Sequence, residues 1–127
     1  MLFDCTAVFV TLATDNLEKL VRFYTDLWQQ KPQIYREKVY AEFQLPSLRL
    51  GIFQPSKGNE AQFVHGRNSK MSLCFEVVDL ESAIAHLTNL GYPPPGAVIT
   101  ASHGQEVYAY DPDGNRLIVH QAKVRSL

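Results

Sequence analysis

His120, Glu76 and Cys74 are the residues whose types could carry proton transfer or nucleophilic work, and Arg49 and Arg116 are those that could fix an anion. An imidazole exchanges protons near neutrality, so His120 reads as a general base or a hydrogen-bond donor to a ligand, or more plainly as a solvated histidine at a strand end. Glu76 reads as a ligand carboxylate or as a solvated, ion-paired strand end. Cys74 reads as a reactive thiol or as a small buried side chain. The two arginines offer planar forks that match carboxylate and phosphate, against the plain reading of surface salt bridges. Phe9 and Phe53, with Trp28, Tyr108 and Tyr110 near them, could stack on a flat ligand or simply pack the core. His65 and His103 fall in loops, exposed unless a loop closes over a ligand. The sequence contains no Walker-type glycine loop, no GxSxG elbow and no HExxH pair.

These residues depend on strands and helices that the hydrophobic pattern delimits. Residues 6–12 are rich in β-branched and aromatic side chains and predict a strand. Asp15-Asn16 signals a helix start, and Leu17, Leu20, Val21, Tyr24 and Leu27 follow at helical spacing until Lys31-Pro32. Short strands are expected at 34–40, 40–45 and 48–53, with Pro46-Ser47 turning the last two. Residues 54–69 carry turn formers without periodicity and predict a linker. Beyond it the pattern repeats: a strand over 71–78, a helix capped by Asp79 with Leu80, Ala83, Ile84, Leu87 and Leu90 on its apolar face, and Gly91 as its stop. Strands at 98–101, 106–110 and 116–121 complete it, the last two joined by Asp111-Pro112-Asp113-Gly114-Asn115.

The chain is thus a βαβββ unit used twice, with repeat one over about 5–54, a linker over about 55–69 and repeat two over about 70–121, together one domain spanning 1–127. Asn16-Leu17-Glu18 recurs as Asp79-Leu80-Glu81. Arg49-Leu50-Gly51-Ile52-Phe53-Gln54 aligns without gaps on Arg116-Leu117-Ile118-Val119-His120-Gln121, sharing Arg, Leu and Gln. Strand alternation places Val8, Val10, Leu12, Leu48, Leu50, Ile52, Met71, Leu73, Phe75, Val77, Leu117 and Val119 under the helices. The opposite face carries Ala7, Phe9 and Thr11, then Arg49, Gly51 and Phe53, then Ser72, Cys74 and Glu76, and then Arg116, Ile118 and His120. That mixture suits a ligand-binding wall.

The duplicated unit, the Asp15-Asn16-Leu17-Glu18 and Phe23-Tyr24 residues of the first helix and the Asp-Pro-Asp-Gly turn before the last strand together resemble the glyoxalase/bleomycin-resistance/dioxygenase (vicinal oxygen chelate) superfamily, in its metal-free branch. The resemblance spans essentially the whole chain and implies an α+β fold in which the two repeats form paired mixed sheets around a cavity. In metal-using members the ligands are His, Glu or Gln from four strands. The corresponding positions here are Phe9, Gly51, Ser72 and Ile118, which provide neither imidazole nor carboxylate, so no metal and no cofactor is expected at them. The resemblance also implies a homodimer.

Composition narrows the remaining choices. With 127 residues, 46% hydrophobic and 20% charged, and a net charge of -1, the chain is an ordinary globular domain that offers neither nucleic acid nor an acidic membrane a basic face. The first residues lack a basic, apolar leader, and the two cysteines have no ligand-like spacing, so the expectation is a cytoplasmic protein with two reduced core thiols. The expected function is metal-independent binding or sequestering of a small molecule by Phe9, Arg49, Phe53, Cys74, Glu76, Arg116 and His120. The alternative is a lyase, isomerase or dioxygenase using a metal or acid–base site rebuilt around His120 and Glu76. Whether the protein is an enzyme is left open at this point.

Overall fold

The structure, a computed structural model, describes residues 3–64 and 69–123. Two compact units divide the chain, Met1–Val64 and His65–Leu127, with the boundary inside the segment expected to be a linker. Unit one contains β1 (Val10–Ala13), α1 (Leu17–Trp28), β2 (Ile34–Arg36), β3 (Tyr40–Gln44), β4 (Arg49–Phe53) and a short 3-10 turn (Glu60–Phe63). Unit two contains β5 (Leu73–Glu76), α2 (Leu80–Asn89), β6 (Ile99–Ala101), β7 (Gly104–Tyr110) and β8 (Arg116–Ala122). Each unit forms one four-stranded mixed sheet, in the orders β1-β4-β3-β2 and β5-β8-β7-β6. The first strand of each runs parallel to the fourth, and the other pairings are antiparallel. The α+β class and the doubled βαβββ unit therefore stand as read.

One apolar helix stripe and one sheet face make the core of each unit. In unit one Leu17, Leu20, Val21, Phe23 and Tyr24 are buried with Ala41, Phe43, Leu50 and Ile52, and in unit two Leu80 and Leu87 with Val107, Ala109, Leu117 and Val119. Burying one such leucine contributes about 1.5–3 kcal/mol. Trp28 lies 4.9 Å from Tyr24 and 5.3 Å from Phe43, ring centre to ring centre. Of the two readings open to it, Trp28 takes the packing one, as its place on the helix stripe dictates.

The repeated residues have structural reasons. Asn16 caps α1 by accepting from the Lys19 N–H at 3.1 Å, and Asp79 caps α2 by accepting from the Glu81 N–H at 3.1 Å. The glutamine shared by the two fourth strands serves the same helix ends. The side-chain oxygen of Gln54 accepts from the Leu17 N–H at 3.1 Å, and that of Gln121 from the Leu80 N–H at 2.7 Å. A helix start leaves its first N–H groups without partners, and each glutamine reaches across from the sheet to fill one. The Asp-Pro-Asp-Gly turn closes on buried Asp111, whose carboxylate accepts from the Asp113 and Asn115 N–H groups and from the Asn115 amide.

Strand starts differ from expectation. β1 begins at Val10 and β5 at Leu73, so Val8 (87% exposed) and Met71 (75%) lie outside the core, and so does Val78 (97%) past the end of β5. Alternation assigns faces only where a strand is paired, and these flanks are not paired. Cys5 and Cys74 are both exposed and not core thiols, Cys5 because it precedes β1 and Cys74 because it points to the face away from α2. No helix among the described residues is long and apolar enough to cross a membrane.

Candidate functional site

In each unit the sheet face away from the helix carries the polar residues, and the strand register fixes which of them are neighbours. On unit one Thr11 pairs with Gly51, Glu42 with Gly51, Tyr40 with Phe53 and Gln44 with Arg49. Glu42 is only 8% exposed and is held from several sides. One carboxylate oxygen accepts from the Tyr40 hydroxyl at 2.7 Å and the other from the Gln44 amide at 2.8 Å, while Arg49 Nε stands 3.9 Å from the first. Donation from Tyr40, above all, keeps the Glu42 carboxyl below its usual range. Burial, reinforced by the bond to Glu42 and its charge, pushes the Tyr40 hydroxyl up to about 12.

Gly51 makes this arrangement possible. A Cβ there would lie 2.8 Å from the Tyr40 hydroxyl oxygen and 3.1 Å from its ring, so the tyrosine occupies the space above β4 that any larger residue would claim. Next to this cluster the Arg49 guanidinium stacks 4.0 Å above the Phe9 ring. Phe53 meets Phe63 of the 3-10 turn edge to face at 5.3 Å, so part of the expected linker folds back onto this wall.

On unit two, Ser72, Cys74 and Glu76 run beside Arg116, Ile118 and His120, which in turn face Tyr110, Tyr108 and Glu106 of β7. Arg116 Nε donates to the Ser72 hydroxyl at 2.7 Å, and a terminal guanidinium nitrogen donates to the Ser69 carbonyl. Burial pushes the Cys74 thiol up, and the charges of Glu76 and Glu106 add to the effect. A raised thiol is more fully protonated near neutrality, which weakens it as a nucleophile and leaves its place on the wall unchanged.

His120 stands between two carboxylates, with Glu76 paired to it on β5 and Glu106 on β7. Its Nδ1 lies 2.8 Å and 2.9 Å from the two Glu76 oxygens, and its Nε2 lies 2.8 Å from Nδ1 of His103. The two imidazoles lie 4.9 Å apart, centre to centre, tilted by 34°. One ligand-type atom from each of His103, Glu106 and His120 falls within 4.8 Å of the other two. A carboxylate on Nδ1 fixes the histidine tautomer, leaving a lone pair on Nε2.

The structure thus joins Phe9 to Arg49, and Glu76 to His120 with His103. Arg49 and Arg116 hold equivalent strand positions with different partners, Glu42 beside one and Ser72 with Ser69 on the other. His65 lies outside the described residues. Sequence reading passed over Tyr40, Glu42, Gln44 and Glu106, although alternation against buried Ala41, Phe43, Val107 and Ala109 would have placed them on the wall. A hollow of about 260 Å³ lined by Thr100, Gly104, Gln105 and Gln121 lies at the other face of the second sheet, where Gln121 turns toward α2.

The four strand positions named from the resemblance hold Phe9, Gly51, Ser72 and Ile118. A metal centre does not fit them, since Tyr40 fills the space at Gly51, Ser72 is engaged by Arg116 and the other two are hydrocarbon.

Comparison with known proteins bears on the whole chain. The family model described as Glyoxalase/Bleomycin resistance protein/Dioxygenase superfamily matches residues 6–119. A search of curated protein sequences found no match. Among solved structures, the genomically encoded fosfomycin resistance protein FosX from Listeria monocytogenes is similar with a TM-score of 0.74 at 16% identity, over 96% of this chain and 97% of that one. Lactoylglutathione lyase from Agrobacterium tumefaciens gives 0.69 at 21% identity, over 92% and 94%. A glyoxalase / bleomycin resistance protein from Catenulispora acidiphila gives 0.67 at 18%, over 91% and 97%. At these identities the likeness is one of fold.

Proposed function

We propose a function on the premise that the chain belongs to the Glyoxalase/Bleomycin resistance protein/Dioxygenase superfamily: it binds or sequesters a small organic molecule on its sheet walls without a metal at the four strand positions. One observation carries this reading, the filling of those positions by Phe9, Gly51, Ser72 and Ile118 with Tyr40 lying over the glycine. What the walls offer a ligand is aromatic surface and a cation. Phe9 is 40% exposed, and the Arg49 guanidinium carbon lies 4.0 Å over its ring centre. A flat, partly aromatic molecule bearing an acidic group matches that chemistry. The same reading takes the protein to be a cytoplasmic homodimer with no nucleic-acid or membrane partner, supported by superfamily membership and the near-neutral charge.

The test is a fluorescence titration of the folded protein with an anilinonaphthalene sulfonate dye, a flat aromatic anion. Saturable binding is expected, unchanged by chelator and weakened about 5-fold or more by Phe9→Ala or Arg49→Ala, the loss that about 1 kcal/mol of stacking implies. Binding that chelator abolishes, or that neither substitution weakens, would overturn the reading.

A second reading is favoured by the geometry of His120. With Nδ1 on Glu76, its Nε2 is the basic nitrogen, which suits proton transfer in a lyase, isomerase or dioxygenase with a rebuilt acid–base or metal site. Under this reading His120→Ala abolishes turnover of any substrate the protein is found to convert, and undiminished turnover removes it.

A further inference from the structure

His103 is brought to His120 by a backbone device that nothing in the wall itself requires. The β6–β7 turn is pinned where the His103 carbonyl accepts from the Lys123 N–H at 3.0 Å. Gly104 follows with φ +144, and a Cβ on it would lie 2.1 Å from the Gln121 carbonyl oxygen, so only glycine lets the turn approach β8 this closely. The result is the 2.8 Å separation of His103 Nδ1 from His120 Nε2, beside the Glu106 carboxylate on the neighbouring strand.

We propose that His103, Glu106 and His120 form a site for one divalent cation of borderline softness, zinc in the first instance, with Glu76 orienting His120 from behind. Three observations meet in it. Two imidazole nitrogens and one carboxylate are a donor set for zinc and its first-row neighbours, whereas calcium and magnesium take oxygen donors. Glu76, on the far nitrogen of His120, supplies the carboxylate–histidine contact that fixes the tautomer and raises the basicity of a metal-bound imidazole. The two nitrogens already converge. At metal–nitrogen distances of about 2.0–2.1 Å, tetrahedral ligands lie about 3.3 Å apart, so the pair has to open by only about half an ångström, a small ring movement for exposed His103.

Three protein donors leave a fourth tetrahedral position for water or a ligand oxygen, the pattern of a working site and not of a purely structural one. All three donors come from unit two, and none occupies the four strand positions at which metal-using relatives of the superfamily bind theirs. The proposal rests on the second functional reading, from which it takes the His120–Glu76 pair.

The experiment is calorimetric titration of chelator-stripped protein with zinc, followed by cobalt substitution to read the visible spectrum. One equivalent is expected to bind, with cobalt giving an intense tetrahedral band. His103→Ala and Glu106→Gln should weaken zinc about 100-fold or more, and Glu76→Gln about 10–100-fold. His86→Ala, on α2, should leave it unchanged. His103 lies in an exposed turn, so its variant is expected to fold, which circular dichroism checks. The absence of one bound equivalent, or binding that His103→Ala does not weaken, overturns the site. Nitrogen NMR of the metal-free protein separates this failure from that of the reading beneath it. Nδ1-protonated His120 without zinc binding would sink the metal site alone, and Nε2-protonated His120 would sink both.

Discussion

Tyr40 in unit one and Glu106 in unit two hold the same place, each paired across to the fifth residue of the fourth strand, Phe53 in one case and His120 in the other. The skeleton around them is the same down to the glutamine that reaches back to the helix start. The chemistry is not. In unit one the Glu42 carboxylate is closed, because both its oxygens are used by Tyr40 and Gln44, while the buried Arg49 Nε, 3.9 Å from it, has no hydrogen-bond partner among the described residues. In unit two the groups converge without closing: His120 has one nitrogen on Glu76, the other on exposed His103, and Glu106 alongside. Buried polar groups that satisfy one another specify a fold, whereas donor atoms aimed at a shared point invite a ligand. One wall holds its carboxylate within a hydrogen-bonded cluster, and the other leaves its donor atoms converging and open.

The comparison breaks most visibly if the two cores are not equivalent. Leu50 and Leu117 occupy matching positions and both are fully buried. Leu50→Ala and Leu117→Ala should each cost about 2–5 kcal/mol in denaturant unfolding, the range for a leucine truncated in a close-packed core. A loss below about 1 kcal/mol at either site would show that one unit does not pack as its repeat does.

The walls should respond unequally. Glu42→Ala leaves the Tyr40 hydroxyl and the Gln44 amide without their acceptor and should cost about 2 kcal/mol, whereas Glu106→Ala at a half-exposed position should cost less than about 1. Equal losses would erase the distinction between a closed and an open wall. The pH dependence sharpens it. Glu42 titrates below its ordinary range in the folded protein, so its contribution is complete above the ordinary carboxylate pKa and is lost as pH falls below it. Tyr40 titrates above its ordinary value, so its contribution is complete below 10.0 and is lost as pH rises toward about 12. In Glu42→Gln the tyrosinate absorbance of Tyr40 should therefore develop at lower pH. A Tyr40 transition that stays near 12 in that variant would mean that burial alone sets it.

Much of this was legible in the sequence for physical reasons that can be named. Helical spacing at Leu17, Leu20, Val21 and Tyr24 and alternation through Arg49–Phe53 are local signals, and they placed the helices and the walls. His120 and Glu76 were found on one wall because both lie on strands with clean alternation. His103 could be assigned only to a loop, since its approach to His120 depends on the positive φ of Gly104 and a contact with β8 far along the chain. Glu42 and Tyr40 lie on β3, whose alternation against buried Ala41 and Phe43 carries the same information as the first and fourth strands. Val8 and Met71 were placed in the core because apolar alternation continues past the point where strand pairing stops.

The smallest effect tests the repeat most directly. Gln54 and Gln121 are the residues whose conservation between the two units has no explanation in either wall, and each fills a helix N–H that the capping side chain does not reach: Asn16 serves Lys19 while Gln54 serves Leu17, and Asp79 serves Glu81 while Gln121 serves Leu80. Removing a capping acceptor costs about 0.5–2 kcal/mol. Gln54→Ala and Gln121→Ala should both fall in that range, and because the bonds touch different helices their losses should add in the double variant to within about 0.5 kcal/mol. Glutamate is the sharper substitution, since it keeps an acceptor oxygen and places a negative charge at the positive end of the helix, so Gln54→Glu and Gln121→Glu should hold or raise stability. If alanine is harmless at one position and costly at the other, the shared glutamine marks common ancestry in one unit and a working cap only in its repeat.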